Sequence, residues 1–171
     1  MQGSRSDGPS EDHAMIYEDV EAFLRAVPPG QAIAGLDLGT KTIGVALSDR
    51  LLGSATPVTV LKRTKFGVDA DALLALLTAR EVGGIVLGLP RNMDGTEGPR
   101  AQSTRAFARN LDQRAALPLT FWDERLSTVA AERALLEADT SRAKRAQVID
   151  QVAASYILQG VLDRIAHLRT A

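Results

Sequence analysis

The sequence predicts an α/β fold: a mixed five-stranded sheet, built from an antiparallel hairpin and parallel strands, with helices on both faces. Residues 32–48 hold two apolar runs, "AIAGLDL" and "TIGVALS", split by Gly39-Thr40-Lys41, the pattern of a hairpin. Two later runs, "GGIVLGLP" (83–90) and "LPLTFW" (117–122), are apolar almost throughout, as strands covered on both faces are. Segments with helical periodicity lie between and after them.

Taken in order, residues 1–14 are polar and read as a disordered tail. In "YEDVEAFLRAV" (17–27), Val20, Phe23, Leu24 and Val27 share one helical face, and Pro28-Pro29-Gly30 stops the helix. Residues 1–31 are therefore expected as an N-terminal extension, and 32–168 as the domain proper. After the hairpin, "PVTVLKR" (57–63) reads as a third strand, and residues 69–80 as a helix with an acidic first turn. A polar loop, 91–100, separates the buried run at 83–90 from a basic-faced helix at about 100–114. The last strand ends on Asp123-Glu124-Arg125, and Ser127 or Thr128 can cap a helix over 129–138. "TSRAKRAQ" (140–147) reads as a basic connector to a final helix, about 148–168.

Composition narrows the function. With 171 residues, 45% of them hydrophobic, the chain can bury one domain core. It has no cysteine, which rules out disulfides and thiolate metal sites. No apolar run approaches the roughly 18 residues of a membrane span, and no secretory signal is evident, so a cytoplasmic location is expected. Net charge is −1, but residues 1–31 hold six acids against two arginines, so the rest is mildly basic. Nucleic-acid contact would rest on local clusters. The two histidines, His13 and His167, are isolated in the sequence.

The informative residues are acids. Asp37 lies inside a strand between Leu36 and Leu38, sharing a face with Ile33, Gly35 and Gly39, whose glycines leave room around it. Asp123 and Glu124 end the last strand; if it runs parallel to the first, they emerge at the same sheet edge. Asp150, expected in the first turn of the last helix, is followed on its face by Ala153, Ala154 and Ile157, so it points toward the sheet. Three converging carboxylates repel one another unless cations neutralise them, and oxygen-only donors favour Mg²⁺ or Mn²⁺. Blander readings stand beside this one. Asp37 could pair with Lys41, Asp150 could serve the helix dipole, and one acid of the 123–124 pair could meet Arg125. Strand alternation does not decide between Asp123 and Glu124.

Four stretches together resemble the YqgF/RuvX family of RNase H-like nucleases: "GLDLGTKTIGVALSD" (35–49), "IVLGLPRNMDGTEGPRA" (85–101), "WDERLSTVAAE" (122–132) and "DQVAASYILQ" (150–159). The resemblance implies an RNase H-like fold and a metal-dependent phosphodiesterase site. Its catalytic and metal-binding acids would be Asp37, Glu124 and Asp150, with Asp123 as the substitute for Glu124. It also implies processing of the 5′ end of pre-16S rRNA, with Holliday junction resolution of branched DNA as the alternative. In a two-ion site Asp37, from the central strand, would bridge the ions. Phosphate contacts are expected from Lys41, Arg91, Asn92, Arg100, Arg125, Arg142, Lys144 and Arg145. The state is expected to be monomer or homodimer. "DLGTKTIG" also resembles the first phosphate loop of actin-like and sugar-kinase ATPases, whose second domain 171 residues cannot supply. A non-catalytic nucleic-acid-binding module is a further rival, weakened by the presence of all three acids.

Overall fold

In the computed structural model of the chain, the described residues are 15–126 and 142–170, with backbone alone described from 142 to 151. The expected tail (1–14) and the expected helix over 129–138 lie outside them. The elements are β1 (Ile16–Tyr17), α1 (Val20–Ala26), β2 (Ala32–Leu38), β3 (Thr42–Ser48), β4 (Ala55–Lys62) and α2 (Phe66–Ala79). They continue with β5 (Val82–Leu89), α3 (Pro99–Asp112), β6 (Leu119–Asp123), a 3₁₀ turn (Glu124–Leu126) and α4 (Arg142–Thr170).

The sheet has six strands in the order β1-β6-β5-β2-β3-β4, one more than expected. The extra strand is β1, which pairs parallel with β6 through Ile16–Leu119 and Tyr17–Thr120. Two residues are too few to show an alternation in sequence. Their strand character comes from partners, the Leu119 amide donating to Met15 O at 2.8 Å and the Thr120 hydroxyl to Tyr17 O at 2.8 Å. β2, β5, β6 and β1 run parallel to one another, whereas β3 is antiparallel to both β2 and β4. The carboxyl ends of β2, β5 and β6 therefore share one edge.

Helices cover both faces. Under α2 and α3 lie Leu36, Leu73, Leu77, Leu87, Phe107 and Leu111; under α1 and α4 lie Phe23, Ile33, Val86, Leu158 and Leu162. Alternation along β2 assigns the two sets: Ala34 and Leu36 face α2 and α3, while Ile33, Gly35 and Asp37 face α4. Helix α1 is part of this packing. Asp19 caps it, accepting from the Ala22 amide at 2.8 Å, and Phe23 is fully buried beside α4.

α4 begins earlier than expected, so residues 142–147 form helix rather than connector, and Asp150 sits two turns in rather than in the first turn. Arg142, Lys144 and Arg145 suit a helix as well as a loop, and the apolar periodicity that marks a helix starts only after them. The axis lies close to β2 because Gly35 has no side chain: a Cβ there would stand 2.6 Å from Leu158 Cβ and 2.9 Å from the Ala154 carbonyl oxygen. Neither atom is the end of a flexible chain. Gly35→Ala is accordingly expected to lower stability by about 1–3 kcal/mol, read as a lower urea midpoint at unchanged m.

Candidate functional site

Asp37 is 2% exposed near the end of an interior strand. Its register partner on β3 is Gly44. On the other side, the β2–β5 register pairs Leu36 with Leu87, so one residue further Asp37 stands beside Gly88, which in turn pairs with Trp122. A row Gly44–Asp37–Gly88–Trp122 thus crosses the α4 face of the sheet. Side chains adjacent in such a row would stand about 5 Å apart, so a glycine on each flank opens space around the carboxylate.

Glu124 occupies part of that space. A Cβ on Gly88 would stand 2.8 Å from Glu124 Oε2 and would also run into the end of Ile157. The Glu124 carboxylate therefore lies over Gly88, on the same face as Asp37. Asp123 goes the other way. It follows Phe121 in alternation, onto the α3 face, and Arg125 grips it with Nε at 3.1 Å from both carboxylate oxygens and Nη2 at 2.7 Å from Oδ2. That hydrogen-bonded guanidinium holds the Asp123 carboxyl below its ordinary range. The structure thus separates two neighbouring acids that sequence alternation leaves equivalent.

α4 runs back antiparallel to β2. Ala154 and Leu158 sit over Gly35, while Arg169, near the helix end, donates to Leu51 O in the β3–β4 loop at the opposite edge of the sheet. Position 150 is one turn, about 5.4 Å, before Ala154. Asp37 is two residues, about 7 Å, beyond Gly35 in the same direction. The backbone therefore brings position 150 level with Asp37; the Asp150 side chain lies outside the described residues, as do those of Arg142, Lys144 and Arg145. Among the described residues alone, no cluster of three acids is complete. The two carboxylates that are described offer oxygen donors only, with glycine-made room between strands, and this suits a hard divalent cation.

The remaining cations surround this edge in different states of engagement. Lys41 is exposed in the β2–β3 turn and Arg100 is exposed at the start of α3. Arg125, besides holding Asp123, donates to Met93 O at 3.1 Å, so it fastens the 91–98 loop to the end of β6. Within the loop, Asn92 Nδ2 donates to the Thr96 hydroxyl at 2.9 Å. Asp94, lowered in pKa chiefly by its bond from the Thr96 hydroxyl, accepts at 2.6 Å. Arg91 meets Glu97 at 3.3 Å, and Arg105 binds Glu97 at 2.6 Å and Glu18 at 3.0 Å while lying 4.7 Å above the Phe121 ring. This network, in which the Arg105 hydrogen bond lowers the Glu97 pKa, ties the N-terminal segment to the loop.

Sequence reasoning passed over Gly44, Gly88 and Arg63. A glycine inside an otherwise apolar strand run is a signal of close approach, and "IVLGLP" carries one at Gly88. Arg63, at the end of β4, donates from Nη1 to Gly39 O at 2.7 Å and from its backbone amide to Lys41 O at 2.8 Å. No pattern in the sequence links it to the turn.

The sequence profile of the RuvX family, described as Holliday junction resolvase, matches residues 31–164. A relative from Paracoccus denitrificans (strain Pd 1222) is 70% identical over 154 residues, covering 90% of this chain and 98% of its own, and bears the name "Putative pre-16S rRNA nuclease". A relative of the same name from Jannaschia sp. (strain CCS1) is 70% identical over 158 residues, covering 91% and 99%. Among solved structures, T. thermophilus RuvC in complex with a Holliday junction substrate matches with a TM-score of 0.50 at 13% identity, over 80% of this chain and 96% of that one; the likeness is one of fold.

Arg125→Ala should release the loop: amide exchange at residues 92–96 should rise while the β2 and β5 amides stay protected. Because Asp123 titrates below its unfolded value of about 3.9, the pair's stabilisation is complete above that value and drains as pH falls through the folded one. Acid unfolding curves of Arg125→Ala should lack this component.

Proposed function

Because the chain belongs to the RuvX family, we propose that it is a divalent-cation-dependent phosphodiester nuclease that trims the 5′ end of pre-16S rRNA. One observation supports this above the others: the carboxylates of Asp37, on β2, and Glu124, in the 3₁₀ turn after β6, lie on one face of one sheet edge, with Glu124 over Gly88, the position beside Asp37. A protein that merely bound RNA would have no use for a buried carboxylate at a phosphate-seeking edge, since carboxylates repel phosphates.

Asp37 and Glu124, joined by Asp150 from α4, would hold Mg²⁺ or Mn²⁺. Bound there, the ions would offset the crowding of the acids and the charge that builds on the cleaved phosphate. The chain's own part is to aim these oxygens. β2 fixes Asp37 from within the sheet, and the 3₁₀ turn swings Glu124 back over Gly88. Arg125 keeps Asp123 away from them on the other face, so the two adjacent acids take different tasks. Lys41 and Arg100, exposed beside this edge, supply positive charge to the substrate backbone.

A second reading, resolution of branched DNA, is favoured by the family's description as Holliday junction resolvase. Both substrates present phosphates to the same acids, so the choice is made by assay. Incubation of the full chain with a pre-16S 5′ leader and with a four-way junction, in Mg²⁺ and in Mn²⁺, should cut the leader preferentially and cut nothing in chelator.

Asp37→Asn should remain folded but inactive, and normal turnover by that variant would refute the assignment. Added Mn²⁺ should raise the melting temperature of the parent more than that of Asp37→Asn or Glu124→Gln. Gly88→Ala should cost about 100-fold in turnover and also lower the melting temperature, because the added methyl displaces the Glu124 carboxylate and presses on the fully buried Ile157 side chain.

A further inference from the structure

Across the end of β2 from Asp37, on the α3 side, lies a cavity of about 70 Å³. It is lined by Leu38 at the end of β2, Gly39 and Thr40 of the hairpin turn, Arg63, and Arg100, Ser103 and Thr104 of α3. Two arginines and three hydroxyl-bearing residues border it, and among the described residues no acid does. Its volume equals that of about two water molecules in the liquid, room for one small oxyanion and too little for a base.

The cup is built before any ligand arrives. Arg63 is fixed by its bonds to the carbonyls of Gly39 and Lys41, and its guanidinium carbon stands 5.7 Å from the centre of the Phe107 ring. The next residue, Thr64, donates its amide and hydroxyl to the buried carboxylate of Asp69, the hydroxyl at 2.7 Å, which holds the β4–α2 link. A pre-placed cation loses little freedom on binding. Arg63 and Arg100 also differ from the other arginines at this edge. Arg91, Arg105 and Arg125 are in ion pairs, whereas neither Arg63 nor Arg100 enters one with a described residue.

A larger hollow of about 720 Å³ beside β6 differs: Glu18, Asp19, Glu21 and Asp123 line it with Arg91 and Arg164, and Glu18 and Asp123 are already paired with Arg105 and Arg125. The cup, with two arginines and no acid among its described lining residues, draws a phosphate chain toward the hairpin side. Gly39 is two residues past Asp37, about 7 Å along the strand, a separation on the order of one nucleotide step.

We propose that the Arg63–Arg100–Ser103 cup seats the phosphate flanking the one being cut, fixing the strand's register on the acids. This rests on the nuclease reading and adds to it a second, non-catalytic phosphate site. Its ligand is a phosphodiester of a nucleic-acid strand, with Ser103 and Thr40 hydroxyls as donors beside the two cations.

The test uses the full chain carrying Asp37→Asn, so that strands bind without being cut. Affinity for a single-stranded RNA and for a DNA of equal sequence is read by fluorescence anisotropy across a salt series. Adding Arg100→Gln, an exposed change that leaves the hairpin contacts intact, should weaken binding about tenfold. It should also reduce the salt slope by about one, and Arg63→Gln should do the same again. In the DNA strand, a neutral methylphosphonate at one position beside the cutting site should weaken the parent and leave the Arg63→Gln/Arg100→Gln variant unaffected. Equal affinities, equal slopes and an unchanged methylphosphonate effect in folded variants would overturn the cup. If the chain with Asp37 restored still cuts RNA, that result leaves the nuclease standing. A wild-type chain that neither binds nor cuts any strand would remove the nuclease reading and the cup with it.

Discussion

A carboxylate held inside a sheet repels every other acid brought near it, and the arrangement at this edge follows from accommodating Asp37. Its flanks are glycines, Gly44 on β3 and Gly88 on β5, and two residues further back along β2 Gly35 lets α4 descend onto the strand. Gly44 and Gly88 leave the flanks of the carboxylate without side chains, and Gly35 lets the long helix pass close enough to bring position 150 to the same level. A methyl group at Gly35 would run into Leu158 and the Ala154 carbonyl, and one at Gly88 into Ile157 and Glu124.

Around this centre, charge is sorted by face. On the α4 face stand the carboxylates of Asp37 and Glu124. On the α3 face, Asp123 is neutralised by Arg125, and Glu97 by Arg91 and Arg105. Those pairs carry a structural task, binding the 91–98 loop and the N-terminal segment to the end of β6. They are half-buried, so their worth lies more in positioning than in stability. Of the described arginines beside the hairpin turn, Arg63 and Arg100 stand outside such ion pairs.

The N-terminal segment illustrates how a short element can be misjudged from sequence. Residues 17–27 show the apolar face of a helix, and Phe23 is the buried contact that face predicts. Nothing in Ile16 and Tyr17 marks a strand, because β1 exists only through its hydrogen bonds to β6. Likewise, the basic run preceding Asp150 shows no apolar periodicity, yet its residues 142–147 belong to α4. Local patterning identifies elements that bury a face of their own; it is silent where a neighbour supplies the order.

By itself the sequence determined the order of the elements from the hairpin through the last strand, the antiparallel hairpin, the two buried runs and the candidate acids, because each of these leaves a periodicity or a charge in an apolar setting. It left Asp123 and Glu124 equivalent, since alternation assigns faces but not partners. Only the tertiary structure gives the two different surroundings, placing Arg125 against Asp123 and the bare backbone of Gly88 beneath Glu124. It alone also joined Arg63 to Arg100, from the end of β4 and the start of α3, because proximity between distant segments is set by how the sheet is ordered and covered.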